Sequence, residues 1–307
     1  MEEEIMTEKD IIIVGAGTAG LSAAIYAQRA GKSALVLEQE AYGGQIINTL
    51  DVENYPGIAH ISGFDFATGL YEQATKLGAE VEFAKVTGVE EKDGLKIVHT
   101  EGGDYAAKAL ILATGVRRRK LGLAKEETFA GKGVSYCATC DGAFFRGKDV
   151  AVNGGGNTAL EDAQYLSRIA NKVYLIHRRD AFRADPAEVE KIRGMENVVP
   201  VMNATVTDLT GDGKLSGVEV TDKITGEKKV LPVSALFVAI GQAPENEAFA
   251  DLVELDEAGY IKAGEDCKTS HPGIFAAGDC RTKKVRQLTT AAADGAVAAL
   301  AAAAYLG

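Results

Sequence analysis

The chain opens on a continuous apolar block, Ile11-Ile12-Ile13-Val14, that runs straight into Gly15-Ala16-Gly17-Thr18-Ala19-Gly20. A helix-like stretch from about Leu21 to Ala30 follows, stopped by Gly31, and a second apolar run, Leu35-Val36-Leu37, ends on Glu38. Strand, glycine-rich turn, helix and strand in that order predict a βαβ unit over roughly residues 10 to 38. The same order returns 139 residues later without a gap, as Val150-Ala151-Val152, Gly154-Gly155-Gly156-Asn157-Thr158-Ala159 and Tyr174-Leu175-Ile176. The copies differ where the second strand ends. Glu38 in the first is matched in the second by His177, followed by Arg178-Arg179. Asn153 is a departure, since an apolar residue would fill the end of that strand better.

Elsewhere the pattern is coarser. Turn residues dominate from Tyr42-Gly43-Gly44-Gln45 to Asn54-Tyr55-Pro56-Gly57, too long and polar a stretch for a core element and of the kind that holds ligands. A helix is expected near residues 63 to 77 and strands near 80–86, 94–100 and 105–113, the last closing on Ala113-Thr114-Gly115. Further strands are expected near 205–209, 214–222, 227–231 and 235–240, ending at Gly241. An apolar run closed by glycine at both places marks where the chain leaves one lobe for the other. The expected fold class is therefore α/β, with two Rossmann-like three-layer dinucleotide-binding domains, the second inserted in the first. The boundaries are 1–117 with 246–307, and 118–245. The tail returns through Ile274-Phe275-Ala276-Ala277-Gly278-Asp279-Cys280 and finishes in an alanine-rich helix.

The chemistry of such a fingerprint is set by backbone access. Its first glycine permits a tight strand-to-helix turn, the second lets a pyrophosphate approach the main chain, and the third position, here Gly20 or Ala159, lets helix and strand pack closely. The helix N-terminus offers unpaired N–H groups to phosphates. An acidic residue about 20 positions on accepts from ribose hydroxyls, whereas arginine there suits a 2′-phosphate that a carboxylate would repel. Glu38 thus points to FAD or NAD, and His177, Arg178 and Arg179 to NADP. One such motif alone could be an ordinary glycine-rich turn; two in register, each with a fitting second strand, weaken that reading.

Composition narrows the classes. The chain has 307 residues, 46% of them hydrophobic, enough for about two domains with their own cores. A formal charge of -11 argues against a nucleic-acid surface. The run Arg117-Arg118-Arg119-Lys120 reads as a solvated face, the usual meaning of a short charge run, whereas the run after His177 sits at the cofactor end of a strand. The acidic start lacks the order of a signal peptide, so a cytoplasmic protein is the default. The tail is interrupted by Asp294 and Gly295 and reads as a packed helix rather than a membrane span. Four cysteines do not make a disulfide scaffold, yet two stand as Cys137-Ala138-Thr139-Cys140. This spacing can serve half a zinc site, an inert buried pair or a dithiol that cycles. Zinc would need two further ligands, and Cys267 and Cys280 are distant single cysteines, so no metal is expected.

The order GAGTAG, GGQ, VENYPG, ATG, CATCDG, GGGNTALEDA, HRRDAFRA, AAGD and RQLTTAAADG resembles the low-molecular-weight bacterial thioredoxin reductases across nearly the whole chain. That resemblance implies bound FAD, NADPH as donor, thioredoxin or a thioredoxin-like protein as acceptor, and a homodimer, with no membrane. By motif, Gly15, Gly17, Ala19, Gly20 and Glu38 would hold the adenine half of FAD. Gln45 and Asn54 would lie near the flavin, and Gly44, Ala113, Thr114 and Gly115 would be cofactor-binding. Gly278 and Asp279 would meet its ribityl or phosphate region, and Arg286, Gln287 and Leu288 would approach the isoalloxazine. A helix start near Thr289 would favour negative charge on reduced flavin. Gly154, Gly156, Asn157 and Thr158 match the nicotinamide fingerprint, with His177, Arg178, Arg179 and Arg183 at the 2′-phosphate. Cys137 and Cys140 would be the redox pair and Asp141 the proton-handling group.

Cys140 lies 14 residues before Gly154, which puts the pair in the nucleotide domain, while nicotinamide and disulfide must both meet one flavin. The expectation is rotation of the lobes about residues 115–120 and 240–246. The nearest alternatives are a ferredoxin-driven reductase of the same fold and a flavin-dependent dithiol oxidase. The retained HRRDAFRA weighs against both.

Overall fold

The computed structural model describes residues 7–49 and 52–307, apart from the side chains of Thr7, Asn48 and Cys140. In chain order the elements begin with β1 (Thr7–Val14), α1 (Thr18–Arg29), β2 (Ala34–Glu38), α2 (Gly63–Lys76), β3 (Glu80–Phe83), β4 (Val86–Lys92), β5 (Leu95–Thr100) and β6 (Gly103–Leu112). The middle holds β7 (Arg117–Arg118), α3 (Glu126–Phe129), β8 (Val134–Ser135), α4 (Ala138–Asp141), β9 (Asp149–Asn153), α5 (Asn157–Ser167), β10 (Lys172–Ile176), α6 (Pro186–Arg193) and β11 (Val198–Val201). Then come β12 (Ala204–Asp212), β13 (Lys214–Asp222), β14 (Lys228–Leu231), β15 (Ala235–Val238), β16 (Gln242–Ala243), β17 (Ile274–Ala276) and α7 (Leu288–Leu306). Arg118–Gln242 forms one compact unit, and the described residues on either side of it form the other. The return crossing falls between Gln242 and Ala243, three residues earlier than the sequence pattern placed it.

The first unit is built on a sheet of order β3-β2-β1-β6-β5-β4, with β17 also paired to β6. β1 runs parallel to β2 and β6, with Val14 opposite Leu37 and Leu112. The other edge of β6 is shared: its N-terminal half pairs antiparallel with β5, and Leu110–Leu112 pairs parallel with β17. The apolar block of β1 alternates between two cores, as the period of a strand requires. Ile11 and Ile13 join α1, Ala298, Ala299 and Ala302 of α7, and Ile111, whereas Ile12 and Val14 join Leu110, Leu112, Phe249, Val253 and Ile261. Both faces are covered, which is why the run is continuously apolar. The apolar pattern did not resolve β4 as a separate strand; its residues are partly or fully exposed, so burial left no mark on it.

The second unit has a five-stranded parallel sheet of order β11-β10-β9-β15-β8 and a three-stranded antiparallel sheet, β12-β13-β14. Val150, Val152, Val173 and Leu175 pack against Leu160 and Ala163 of α5. Ala151, Ile176 and Leu236 face Leu209, Val218 and Leu231 of the antiparallel sheet, which completes three layers. Asn153 ends β9, half-buried beyond both cores, and its carbonyl accepts from Ala239 N at 2.8 Å. A polar side chain is therefore tolerated there. α7 alone among the described helices is long and apolar enough by composition to cross a membrane. Its alanine face lies in the core of the first unit.

Leu110 is fully buried on the strand that pairs with three others, β1, β5 and β17. Leu110→Ala is expected to lower the unfolding free energy by about 2–5 kcal/mol. Urea unfolding checks this, and a loss within about 0.5 kcal/mol would mean that this core face is not tightly packed.

Candidate dinucleotide and redox sites

In the first unit the glycine loop is fixed by backbone pressing on backbone. Gly15 has φ +104°, and a Cβ there would strike the Ala113 carbonyl oxygen; a Cβ on Gly20 would strike the Gly15 carbonyl. Gly17 has open space in front of it, which leaves its main chain approachable. Glu38, at the end of β2, accepts from Ala16 N through Oε2 at 2.8 Å and from Glu40 N through Oε1 at 3.0 Å. Its carboxylate is held beside the loop, and each oxygen keeps a lone pair for a hydroxyl. Gly43 N donates to Ala16 O at 2.7 Å, seating the Gly44–Asn48 turn against the same loop.

The remaining residues expected near a flavin make pairwise contacts within the first unit. Gln45 Nε2 donates to Val116 O, and Asn54 Nδ2 donates to Gln287 Oε1 at 3.3 Å. Gln287 caps α7 in a reciprocal arrangement with Thr290, and Leu288 begins the helix. Thr114 Oγ1 donates to Asn246 Oδ1 at 2.8 Å, between Ala113, which donates to Val14 O, and Gly115. Arg286 lies 4.2 Å over the Tyr260 ring, its Nε donating to Asp279 O at 3.3 Å. The Asp279 carboxyl stands out: its Oδ1 is buried with no partner among the described residues. Burial pushes its pKa up, opposed by Lys283 and Arg286. Asn246, which no sequence motif singles out, is 1% exposed and also donates to Gly259 O and Cys280 O.

In the second unit a Cβ on Gly154 would strike the Ala239 carbonyl, repeating the contact of Gly15. Gly155 lies under the His177 ring, leaving no room for a side chain. His177 turns inward: it is buried, its Nε2 is 3.0 Å from Ala181 O, and its ring lies beside Phe182. Burial lowers its pKa, partly offset by Ala181 and reinforced by Arg179, Arg178 and Arg183. It therefore shapes the loop as a neutral ring, while Arg178, Arg179 and Arg183 are exposed. Arg183 N donates to Gly155 O at 2.6 Å. Asn157, exposed with Thr158 at the start of α5 beside Gly156, exchanges two hydrogen bonds with Asp185, at 2.9 and 2.7 Å, and so ties the arginine loop to the helix start.

Cys137 is disulfide-bonded, whereas Cys267 and Cys280 are free and buried. The side chain of Cys140 lies outside the described residues. Ser135 holds the turn: its Oγ accepts from Cys137 N at 3.1 Å and donates to Asp141 Oδ2 at 2.6 Å. Arg118 Nη1 donates to Tyr136 O. This corrects the solvated-run reading for Arg118 alone, which is half-buried, its pKa lowered by burial against the opposing attraction of Asp162 and Asp141; Arg117, Arg119 and Lys120 are exposed. Tyr136 in turn donates to Glu126 Oε1 at 2.6 Å. Glu126 is 2% exposed and also accepts from Leu121 N and Gly122 N. Ser135, Glu126 and Arg118 carry no local motif, so only the fold identifies them.

Comparison with known proteins gives this arrangement its relatives. The family model described as pyridine nucleotide-disulphide oxidoreductase matches residues 9–295. The chain belongs to that family. Thioredoxin reductase of Treponema pallidum is 46% identical over 301 residues, covering 98% of each chain. Thioredoxin reductase of Bacillus subtilis is 42% identical, covering 94% of this chain and 92% of its own. Among solved structures, Lactococcus lactis thioredoxin reductase matches with a TM-score of 0.82 at 39% identity, over 97% of this chain and 99% of its own. Within the family the chain falls with the low-molecular-weight thioredoxin reductases, and membership implies binding of a flavin and a pyridine nucleotide. The expected α/β fold with parallel sheets is that of these relatives.

Burial pushes the Asp162 carboxyl up to about 7, with Arg118 opposing and Glu161 adding. Between about pH 4 and 7 the folded chain then keeps a proton that the unfolded chain has released, so this group's contribution to stability falls as pH rises. Asp162→Asn is expected to melt above the parent at pH 8, with an advantage that shrinks towards pH 4. A pH-independent difference in thermal melts would contradict the assignment.

Proposed function

We propose that this chain is a thioredoxin-disulfide reductase that passes electrons from NADPH through FAD to a Cys137–Cys140 disulfide and on to thioredoxin. One observation carries the reading: a single chain holds a cradle ending in Glu38, a second ending in Arg178 and Arg179, and a disulfide-bonded Cys137. The close relatives bear the same name. The residues of the first unit fit FAD, because the unpartnered Asp279 Oδ1 calls for a donor of the kind ribityl hydroxyls supply. Glu38 offers acceptors for the adenosine ribose. The start of α7 at Leu288 adds the positive end of a helix dipole. The exposed Arg178, Arg179 and Arg183 favour a 2′-phosphate and therefore NADPH over NADH.

When bound, FAD supplies a two-electron relay between a nicotinamide hydride and a disulfide. Two electrons and two protons convert the Cys137–Cys140 bond to two thiols. Asp141, oriented by Ser135, is the proton-handling group beside them. One thiolate attacks the thioredoxin disulfide to form a mixed disulfide, and the second displaces reduced thioredoxin and restores the intramolecular bond. Because the pair and the nucleotide cradle lie in one unit, the two must reach the flavin in turn, which favours rotation about residues 115–120 and 240–246. The resemblance also favours a homodimer, and the free thiols of Cys267 and Cys280 suit an intracellular setting.

Anaerobic mixing of the FAD-loaded protein with NADPH, NADH or reduced ferredoxin tests the direction of flow. NADPH is expected to bleach the flavin rapidly and to yield two new thiols, at Cys137 and Cys140. Bleaching by ferredoxin alone would overturn the donor, and bleaching without new thiols would overturn the path. Arg178→Ala with Arg179→Ala is expected to raise KM for NADPH by about 10-fold or more, as loss of charge-assisted hydrogen bonds requires, and to leave NADH unchanged. An equal effect on both nucleotides in steady-state kinetics would remove the 2′-phosphate role.

A further inference from the structure

Deep in the first unit, one carboxylate collects four donors. Asp294, on α7, accepts from Arg281 Nε and Nη2 at 2.8 Å each, from Lys283 Nζ at 2.7 Å and from the backbone N–H of Gly278 at 2.9 Å. Arg281 is 2% exposed, and Lys283 and Asp294 are also shielded. Arg281 Nη1 donates onward to Ala263 O and Thr282 O. A buried ionic cluster is weak evidence for stability, since well-packed apolar residues of similar volume often serve as well or better. What apolar residues could not supply is a fixed acceptor for Gly278 N.

That acceptor sits at a junction. Gly278 has φ +81° and lies against the Ala19 Cβ, in the first turn of α1. Next to Asp294, Gly295 presses on the Ala19 carbonyl and Ala23 N, and Ser22 Oγ donates to Ala292 O at 2.7 Å. α7 is thus pinned to α1 at Gly295 and to the Gly278 turn at Asp294. The residue after Gly278 is Asp279, whose buried Oδ1 has no protein partner among the described residues. We propose that Asp294 is a positioning residue for FAD: its bond to Gly278 N sets the place of the Asp279 carboxyl relative to the glycine loop of α1, and so governs flavin retention. Lys283 Nζ shares Oδ2 with Gly278 N and keeps that oxygen charged beside it, whereas Arg281 adds the buried support whose loss costs stability. The inference rests on the reading of the first unit as the FAD site.

Two variants separate positioning from support. Asp294→Asn leaves one oxygen for four donors, whereas Arg281→Gln removes the buried cation and leaves Asp294, Lys283 and Gly278 N in place. In the purified holoprotein, release of FAD is followed by recovery of its fluorescence after dilution, beside apoprotein melting and the visible flavin spectrum. Asp294→Asn is expected to release FAD at least about 10-fold faster with a changed flavin spectrum, as a lost hydrogen bond to a charged acceptor implies. Arg281→Gln is expected to melt lower but to release FAD within about 2-fold of the parent. Should Asp294→Asn fail to fold, Arg281→Gln alone decides: release that rises in step with lost stability overturns the positioning role. Unchanged retention in a folded Asp294→Asn overturns it as well. A parent protein that takes up no FAD would instead overturn the flavin reading itself.

Discussion

Both units depend on main chain meeting main chain at the end of a central strand. Gly15 presses on the carbonyl of Ala113, just past β6, and Gly154 presses on that of Ala239, just past β15. No side chain can occupy either position, so the glycine loop and the neighbouring strand end are locked together. Shortly after each of these strand ends the chain crosses to the other unit, at Arg117–Arg118 and Gln242–Ala243. In each unit the strand end that meets the glycine loop therefore lies a few residues before the chain leaves that unit.

On this common geometry the units differ in charge. Glu38 is tied to the loop amide of Ala16 and presents a carboxylate, which suits ribose hydroxyls and repels a phosphate. At the equivalent position His177 is a buried neutral ring packed on Gly155, and the charge comes from the arginines after it. Under the proposed assignment, selectivity between two dinucleotides would arise from the few residues at the end of the second strand of each βαβ unit.

Polar side chains to which the motifs assign no role hold the segments around them. Ser135 and Arg118 fix the turn around Cys137, through Asp141 and the Tyr136 carbonyl. Asn246 reaches Thr114, Gly259 and Cys280 at once. Asp294 does the same for Gly278, Arg281 and Lys283. Each satisfies buried donors or acceptors that would otherwise be costly to leave unpaired.

Local sequence was enough to read the two βαβ units and the insertion of one in the other, and to single out Glu38, Arg178, Arg179 and the Cys137 turn as candidates. These are written in short apolar runs, in glycines at fixed spacing and in the residue that ends a strand. Folding in three dimensions was needed to turn His177 inward, to draw Arg118 half out of solvent and to give Asn246 and Asp294 their partners. A buried polar residue takes its meaning from partners far along the chain, as Asn246 does from Thr114, 132 positions away. Local periodicity records which face is buried; it does not record what a buried donor will find there.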